Sequence, residues 1–245
     1  MFDEVGSTNT VAMTAIGRGA EDGAVFLAEG MTAGRGRLGR VWHSPPGVNI
    51  YCTVVLRPAM TPARLPLVTL MAAVATVQAV RETTGLDATI KWPNDILVKG
   101  KKAGGILTEA AVEQDRVQGV VLGIGLNVNM TRQATPVVLR RTATSLRQAS
   151  GRVHDRTALL RRLLQTLDVW YGRLMRPGTH GRGEIIQAWR RRSETLGRRV
   201  RVMMPRRTVI GLAYGITEEG ALVLRLDHGA EVMVTAGDVV HLRSR

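Results

Sequence analysis

Short apolar segments, bounded by glycine, proline and polar residues, make up most of residues 1–130. Runs of this length without a helical period are typical of buried strands. The pattern predicts strands at Ala24–Ala28, Asn49–Leu56, Thr89–Lys91, Ile96–Val98, Gly105–Ala111 and Val117–Leu126. Because strands and helices mix without a regular alternation, we expect an α+β fold with a mixed sheet.

Longer stretches predict four helices. The first runs from Thr8 to Ile16, and Ser7 before it is expected to act as its N-cap. The second, Pro62–Thr84, contains the longest apolar run, which is interrupted by polar residues and is shorter than a membrane span. We therefore expect a buried helix there. The other two are predicted at Thr157–Leu174 and Glu184–Arg192.

After Gly197 the apolar segments become shorter and are joined by hairpin-type turns. Strands are predicted at Val200–Met203, Thr208–Ile216, Ala221–Leu226 and Glu231–Val234. Their close spacing predicts a small antiparallel barrel of about 50 residues. We place a domain boundary near residue 196, which divides the chain into residues 1–196 and residues 197–245.

Length and composition exclude several classes of protein. The chain has 245 residues, of which 44% are hydrophobic, enough for one large domain or a medium domain with a small one. Its single cysteine, Cys52, excludes a disulfide framework and a cysteine-based zinc site. No two histidines have the spacing of a helical zinc motif, and the acidic N-terminus is unlike a signal peptide. We expect a cytoplasmic protein without a resident metal ion.

The chain is strongly basic, with 34 Lys and Arg against 20 Asp and Glu and a net charge of +14. This charge is compatible with a nucleic-acid-binding module, but aromatic residues, at 4%, are few for a base-stacking surface. Residues 1–130 hold 12 basic and 11 acidic side chains, so the excess lies in residues 131–245. Two interpretations of this excess stay open: solvated faces enriched by an arginine bias, and a docking surface for an acidic protein.

The glycine–arginine loop, Gly30–Arg40, is the most informative segment. Three glycines alternate there with three arginines, namely Gly34, Gly36 and Gly39 with Arg35, Arg37 and Arg40. Glycine lets backbone N–H groups approach a ligand, and arginine supplies forked cationic donors. The spacing is neither that of a P-loop nor that of a Rossmann motif. The loop suits an enclosed anion such as a nucleotide or an acyl phosphate; the alternative is a flexible surface loop with solvated charges.

Lys91 ends a predicted strand and is followed by Trp92 and by Pro93, which interrupts the strand ladder. A lysine in this position is partly desolvated and can stabilise charge that develops on a phosphoryl or acyl oxygen. The alternative is a strand lysine whose ammonium group reaches solvent.

Three further groups carry weaker signals. The pair Gly104–Gly105 enters a strand, as expected where a ligand lies against the backbone. Asn127 and Asn129 can bind a base or a ribose, but a plain strand-end turn also explains them. The polar segment Ser7–Asn9 opens a helix, and capping alone accounts for its serine.

Taken in order, these segments resemble the biotin protein ligase family. The matching segments are Ser7-Thr8-Asn9, Ala33-Gly-Arg-Gly-Arg-Leu-Gly-Arg-Val-Trp42, Ser44-Pro-Pro-Gly-Val-Asn-Ile-Tyr51, Lys91-Trp-Pro-Asn-Asp95, Lys102-Ala-Gly-Gly-Ile-Leu-Thr-Glu109 and Gly123-Ile-Gly-Leu-Asn-Val-Asn129. The combination is far more specific than any one segment. It implies a catalytic domain like those of class II synthetases and a small SH3-like C-terminal barrel.

The resemblance also implies a reaction. Biotin and ATP, with Mg²⁺, give biotinyl-adenylate, and the biotinyl group then passes to a lysine of a biotin carboxyl carrier domain. Arg37 and Lys91 are implied as catalytic. The residues implied around biotin or the adenylate are Ser7, Thr8, Asn9, Met31, Gly34, Arg35, Gly36, Arg37, Arg40, Trp42, Lys91, Gly104 and Gly105. Those implied around ATP are Arg40, Trp42, Asn94, Asp95, Lys102, Asn127 and Asn129.

Two departures from the family pattern bear on function. Met31 stands where the family has a glutamine expected to bind biotin, and losing such a hydrogen bond costs about 1–3 kcal/mol. The chain begins a few residues before Ser7, so the resemblance implies a ligase without a DNA-binding repressor domain. It implies no membrane association and leaves a homodimer open. The nearest alternative is a lipoate or octanoyl ligase or transferase, which has a different glycine–arginine pattern.

Overall fold

The structure, a computed structural model, describes residues 1–205 and 207–242. Within these residues a seven-stranded sheet is formed by β1 (Phe2–Val5), β2 (Val25–Met31), β3 (Ile50–Leu56), β4 (Ala88–Lys91), β5 (Asp95–Val98), β6 (Lys101–Glu113) and β7 (Arg116–Leu126). The strands lie in the order β1-β2-β3-β7-β6-β5-β4. β1 pairs in parallel with β2, and the other neighbours pair antiparallel. The predicted mixed sheet and α+β class are confirmed.

The helices of the same region are α1 (Thr8–Gly17), α2 (Leu65–Thr84), α3 (Leu146–Ser150), α4 (Arg156–Leu174) and α5 (His180–Arg192). α1 packs on β3 and β7, whereas α2 packs on β4, β5 and β6 and is covered by α4 and α5. β3 lies between two apolar clusters, with Val54 in the larger one and Val55 in the one formed with α1. Because both faces of β3 are buried, its sequence is almost uniformly apolar.

α2 is the core helix of the larger part. A 3-10 turn at Pro62–Arg64 precedes it, and Gly85 ends it in the left-handed conformation with φ of 72°. Pro62–Thr84 is long and apolar enough to cross a membrane by length and composition alone, yet 67% of its most apolar stretch is buried inside the fold. It is the buried helix that the sequence predicted.

The second sheet, called here the C-terminal sheet, consists of β8 (Arg199–Met203), β9 (Thr208–Ile216), β10 (Leu222–Arg225), β11 (Glu231–Val234) and β12 (Asp238–His241). Its order is β11-β10-β9-β8-β12 with antiparallel neighbours. Alternate residues such as Val200, Val202 and Leu224 are buried, and they join the larger apolar cluster that also contains α2. In the described range β11 and β12 do not pair, so the ladder is open rather than the closed barrel we expected.

Trp92 joins the two sheets. Its backbone N–H donates to Oγ1 of Thr195 at 2.9 Å, and its indole Nε1 donates to the carbonyl of Gly220 at 3.3 Å. Gly220 lies in the β9–β10 turn with φ of 89° and packs on the start of α2. The chain entering the C-terminal sheet also bridges to β4, through Ile90 and Ser193. These contacts bring the C-terminal sheet over the end of β4.

The sequence analysis missed three elements and misplaced several boundaries. The elements that were not predicted are the strand β1, the short helix α3 and the strand β12. β2 continues to Met31, so the first two residues of the glycine–arginine loop belong to a strand, because Met31 pairs with Val5 of β1. α5 begins at His180, four positions before the predicted start. Ser7 occupies the N-cap position of α1, but its side chain makes no capping hydrogen bond.

Candidate active site

A cavity of about 780 Å³ lies between the seven-stranded sheet and the C-terminal sheet. Fifteen of the residues proposed from the sequence line it: Ser7, Thr8, Asn9, Met31, Arg35, Gly36, Arg37, Arg40, Trp42, Lys91, Asn94, Asp95, Lys102, Gly105 and Asn127. Gly34, Gly104 and Asn129 do not line it. Segments distant in sequence therefore converge on one concave site of a size suited to a small ligand or cofactor.

A buried polar corner forms one end of the cavity. The hydroxyl of Thr53 lies 2.8 Å from both Oγ1 of Thr8 and Oδ1 of Asn9. Nδ2 of Asn9 donates to Oε2 of Glu109 at 2.8 Å and to the carbonyl of Leu107 at 3.3 Å. Asn9 is only 4% exposed, so these bonds satisfy a buried amide. They also hold the corner in one arrangement.

Met31 lies beside this corner. The hydroxyl of Thr8 donates to its thioether sulfur at 3.6 Å. A thioether is a weak acceptor and cannot donate. Where the family pattern has an amide, this chain therefore offers the cavity a polarizable apolar surface.

The glycine–arginine loop folds back on itself as a narrow turn. The N–H of Trp42 donates to the carbonyl of Gly34 at 2.9 Å, and the N–H of Gly36 donates to that of Arg40 at 2.7 Å. A Cβ atom on Gly34 would stand 2.5 Å from Oγ of Ser44. Gly34 thus lies at the base of the turn, where there is no room for a side chain, and not in the cavity lining.

The three arginines of the loop reach different parts of the molecule. Arg35 pairs with Glu109 at 3.0 Å, so it contacts the polar corner through that carboxylate. Arg37 donates to Oδ1 of Asn94 and to the carbonyl of Gly237, both at 3.3 Å. Burial lowers the pKa of Arg37, while nearby carboxylates oppose the shift. A desolvated guanidinium binds an anion more strongly than one in water.

Lys91 is the last residue of β4 and faces the same space. Burial lowers the pKa of its ammonium group, Asp95 opposes the shift, and Lys102 adds to it. Asp95, which is paired with Lys91 across β4 and β5, forms its ion pair with Lys102 instead. The cavity therefore holds an incompletely balanced cationic group where an anionic ligand gains most.

Trp42 lies flat on two backbone segments. A Cβ on Gly125 would stand 2.6 Å from its Nε1, and a Cβ on Gly105 would stand 3.4 Å from Cζ3. Nζ of Lys102 is 5.4 Å from the ring centroid. The indole Nε1 is buried without a hydrogen-bond partner among the described residues. The glycines in β6 and β7 thus make room for an aromatic surface that faces the cavity.

The side-chain amides are already bonded to the protein. Nδ2 of Asn94 donates to the carbonyl of Ile106 at 2.6 Å, and Nδ2 of Asn127 donates to that of Thr144 at 3.0 Å. Asn129 exchanges two hydrogen bonds with the backbone of His154, each 2.9 Å long. Gly104 is closed off by the neighbouring strand, because a Cβ there would be 3.0 Å from the carbonyl of Gly125.

We did not predict that the C-terminal sheet would line the cavity. Met203, Asp238, Val239, Val240 and His241 all face it. Asp238 pairs with Arg40. Burial and the neighbouring Lys91 lower the pKa of His241 to about 4, so its imidazole is neutral at pH 7. No local sequence signal marks these residues, because only the packing of the two sheets brings them to the site.

Tyr51 ends one of the segments that resemble the family, but the sequence pattern predicts no role for it. It is 2% exposed and lines the cavity. Its hydroxyl donates to the carbonyl of Pro45 and accepts from Asn49, both at 3.0 Å. These bonds fix the segment after the glycine–arginine loop against β3.

No group of three or more His, Cys, Asp or Glu side chains able to hold a metal ion occurs in residues 1–205 and 207–242. Asp95 and Asp238, the carboxylates nearest to Lys91 and Arg37, are each engaged by a basic side chain. Mg²⁺ bound with a nucleotide needs one or two carboxylates at most, since phosphates and water supply its other ligands. Asp95 and Asp238 are the two carboxylates among the described residues that line the cavity.

Two comparisons by sequence agree with this geometry. Residues 2–127 match the Biotin/lipoate A/B protein ligase family, and residues 195–242 match the Biotin protein ligase C terminal domain. The chain is 40% identical over 234 residues to the bifunctional ligase/repressor BirA of Bacillus spizizenii, covering 96% of this chain and 71% of that protein. It is 36% identical over 246 residues to the biotin–[acetyl-CoA-carboxylase] ligase of Mycobacterium tuberculosis, covering 98% and 87%.

A solved structure extends the likeness to the whole fold. The biotin protein ligase from Aquifex aeolicus in complex with biotin and ATP superposes with a TM-score of 0.80 at 27% identity, covering 100% of this chain and 98% of that one. Because the match covers 100% of this chain, it includes both sheets. The chain therefore belongs to the biotin protein ligases of the biotin/lipoate A/B protein ligase family.

Proposed function

We propose that this protein is an ATP-dependent biotin protein ligase. It activates biotin as biotinyl-AMP and transfers it to a lysine of a biotin carboxyl carrier domain. The observation that carries the proposal is the convergence of the glycine–arginine loop, Lys91 and Trp42 on one cavity in a chain of this family. The relatives named as biotin–[acetyl-CoA-carboxylase] ligases support the choice of substrate and of carrier.

In the first step a carboxylate oxygen of biotin attacks the α-phosphorus of ATP. A phosphorus–oxygen bond forms, the bond to the β-phosphate breaks, and pyrophosphate leaves with its electron pair. Two anions must approach each other, and charge builds up on the α-phosphate oxygens. Arg37 and Lys91 offset both the repulsion between the two anions and the charge that builds up on the α-phosphate, since their cationic groups are desolvated and preorganised at the cavity wall. Mg²⁺ enters as the counter-ion of ATP and supplies charge neutralisation on the phosphates.

The polar corner and the aromatic surface divide the cavity between the two substrates. Biotin takes the end formed by Ser7, Thr8, Asn9 and Met31, where buried hydroxyl and amide groups face a ureido-sized ligand. The nucleotide takes the end formed by Trp42, with Lys102 beside the ring. The other residues that the resemblance implies around biotin and around ATP support these surfaces. They are Gly34, Gly104, Asn94, Asp95, Asn127 and Asn129. Arg35, Gly36 and Arg40 belong to the loop that covers the adenylate.

In the second step the neutral amine of the carrier lysine attacks the carbonyl carbon of the mixed anhydride. The amide bond forms, AMP leaves with the electron pair of the broken carbon–oxygen bond, and the amine loses a proton to solvent. Until the carrier arrives, water must be kept from the anhydride. The glycine–arginine loop provides this cover by closing over the ligand.

The domain arrangement follows the two sheets. Residues 1–196 form the catalytic domain, and residues 197–245 form the SH3-like domain, of which 206 and 243–245 lie outside the described residues. A cytoplasmic location fits the single reduced cysteine, Cys52.

Pyrophosphate release tests the proposal directly. The protein is incubated with MgATP and either biotin or lipoate, and pyrophosphate is assayed. We expect release with biotin alone, followed by biotinylation of an added carboxylase carrier domain, detected with labelled avidin. Release with lipoate alone would assign the chain to the lipoate ligases. Failure with both acids in a folded protein would overturn adenylation altogether.

A further inference from the structure

The C-terminal sheet holds the glycine–arginine loop at two points. Arg40 forms an ion pair with the carboxylate of Asp238, and Nη1 of Arg37 donates to the carbonyl of Gly237 at 3.3 Å. The Asp238 side chain is 17% exposed, whereas that of Arg40 is 63% exposed. The carboxylate is therefore the sheltered partner, and the arginine is the one that can leave.

The segment that carries this carboxylate is rigid. Asp238 opens β12 and pairs with Met203 of β8. A Cβ on Gly237 would stand 2.7 Å from Cγ1 of Val202, so the backbone there is pressed against the neighbouring strand. Both acceptors are thus fixed to the framework of the C-terminal sheet.

The loop has little else to hold it closed. In its turn Arg37–Gly39 no residue is fully buried and only Arg37 is half-buried, Leu38 has φ of 55°, and Leu38 and Val41 are 67% and 86% exposed. A segment without buried apolar contacts stays closed only through its polar contacts. Its remaining contacts, from Arg35 and Arg37, run to the seven-stranded sheet.

We propose that Asp238 is a positioning residue that latches the glycine–arginine loop over the adenylate, so that the C-terminal sheet controls how long the intermediate is retained. This inference rests on the proposed function. ATP brings several phosphate charges to the arginines of the loop, but the adenylate keeps a single phosphate once pyrophosphate has left. Asp238 then supplies the anion that Arg40 requires in the closed state. The latch therefore acts on the intermediate more than on ATP.

The experiment measures loss of labelled adenylate from the full-length enzyme. Adenylate is formed from radiolabelled biotin and MgATP, freed of small molecules, and chased with unlabelled biotin in the absence of carrier. The variants are Asp238→Asn, Arg40→Gln and the double variant. Asp227→Asn is the matched control, because Asp227 pairs with Arg199 on the same sheet at 2.6 Å and is 71% exposed outside the cavity.

We expect Asp238→Asn to release adenylate about 3- to 30-fold faster, without a higher KM for ATP. Arg40→Gln should also release adenylate faster, and the double variant should be no faster than the faster single one, because both remove one interaction. The Asp227→Asn control should match the wild type. Trypsin should also cut the ligand-free Asp238→Asn protein faster at the loop arginines, and this readout does not depend on catalysis.

Three results would overturn the latch. Release and trypsin cleavage could be unchanged in Asp238→Asn, or the two single effects could multiply in the double variant. A raised KM for ATP with a raised Mg²⁺ requirement would instead make Asp238 a metal ligand. In each case the wild type still forms adenylate, so the proposed function survives; a wild type that forms none would overturn both.

Discussion

The side chain of Asn9 occupies the space that a side chain at position 123 would need: a Cβ built on Gly123 would stand 2.8 Å from Cγ of Asn9. The amide cannot simply move away, because Thr53 and Glu109 hold its oxygen and its nitrogen at 2.8 Å. Gly123 is therefore required by the polar corner rather than by the backbone of β7, where its conformation is ordinary. This relationship turns a strand glycine into a test of the biotin end of the cavity.

Gly123→Ala should weaken biotin binding about 10- to 100-fold, since the displaced Asn9 loses its buried hydrogen bonds. Isothermal titration with biotin measures the effect. Gly215→Ala is the matched control: Gly215 is also a strand glycine, but nothing lies within 4 Å of its Cβ position. Unchanged biotin affinity in a folded Gly123→Ala protein would remove Asn9 from the biotin end.

Gly125→Ala should act on the other substrate. A Cβ there would meet the indole of Trp42 at 2.6 Å and displace it from β7. We expect the KM for ATP to rise about 10-fold, because an aromatic stacking surface is worth about 1–3 kcal/mol to a base. Biotin affinity should change little, and steady-state pyrophosphate release at varied ATP and varied biotin separates the two. A rise confined to the KM for biotin would indicate that biotin, and not the nucleotide, occupies the Trp42 end of the cavity.

The motifs on the seven-stranded sheet were predictable because each imposes a local rule. Glycine beside arginine excludes a helix, Pro93 ends the ladder of β4, and paired glycines mark close approach of another group. The same local reasoning failed at Ser7, whose hydroxyl does not cap α1 although its position is the N-cap. It also failed at Met31, which pairs with a strand too short and polar to be recognised.

The contribution of the C-terminal sheet could not be predicted from sequence. Arg40 and Asp238 are 198 positions apart, and nothing near Asp238 distinguishes it from an ordinary turn carboxylate. The contacts of Trp92 with Thr195 and Gly220, and the bridge between Ile90 and Ser193, place the C-terminal sheet at the cavity. Asn129 shows the limit of a local pattern in another way, since its amide donates one hydrogen bond to the backbone of His154 and accepts one from it, and no sequence signal predicts this.

Lys91→Ala should lower adenylate formation about 100- to 1,000-fold, the usual effect of removing a group that stabilises developing charge. Pyrophosphate exchange measures this, and thermal melting checks the fold. Because burial disfavours the ammonium form, the folded state binds this proton less tightly than the unfolded state does. Replacing the lysine should therefore leave the melting temperature at neutral pH unchanged or higher. Unchanged turnover in the variant would remove Lys91 from the mechanism.

The ammonium group of Lys91 also predicts how the rate of adenylate formation falls at alkaline pH, in the alkaline limb of the pH profile. Its folded pKa lies below the ordinary 10.5, so the active ammonium form is lost as pH rises through that lower value. Adenylate formation should fall at a pH at which free lysine is still charged. The residual activity of Lys91→Ala should lack this limb, and a limb that persists in the variant would assign it to another group.

Met31→Gln should tighten biotin binding. The thioether accepts a weak hydrogen bond from Thr8 and offers none to a ligand, whereas an amide both donates and accepts. One added hydrogen bond to a buried polar ligand corresponds to about 5- to 10-fold in affinity. Titration with biotin gives the value, and Met31→Leu, which is apolar and of similar size, is the control. Weaker binding by the glutamine variant would indicate that the site prefers a less polar acid.

The uneven charge of the chain gives the last prediction. If the basic excess of residues 131–245 steers an acidic carrier, transfer to the carrier should slow about 10-fold from low to physiological salt, because screening acts on long-range encounter. Adenylate formation should change less than about 2-fold, since its charges are partly buried. Arg201 is exposed on β8 beside Val240, which lines the cavity. Arg201→Glu should therefore slow transfer, and Arg161→Glu should not, because α4 packs on α2 and α5 and contributes no residue to the cavity lining.

Both half-reactions are measured on the same preparations, adenylate formation by pyrophosphate exchange and transfer by single turnover of preformed adenylate. The two variants change the net charge equally, so a difference between them reports position rather than total charge. Equal salt responses of the two half-reactions, or equal effects of the two variants, would indicate that these arginines only form solvated surfaces and do not dock the carrier. A selective loss at Arg201 would instead place the carrier against the outer face of the C-terminal sheet, at the mouth of the cavity.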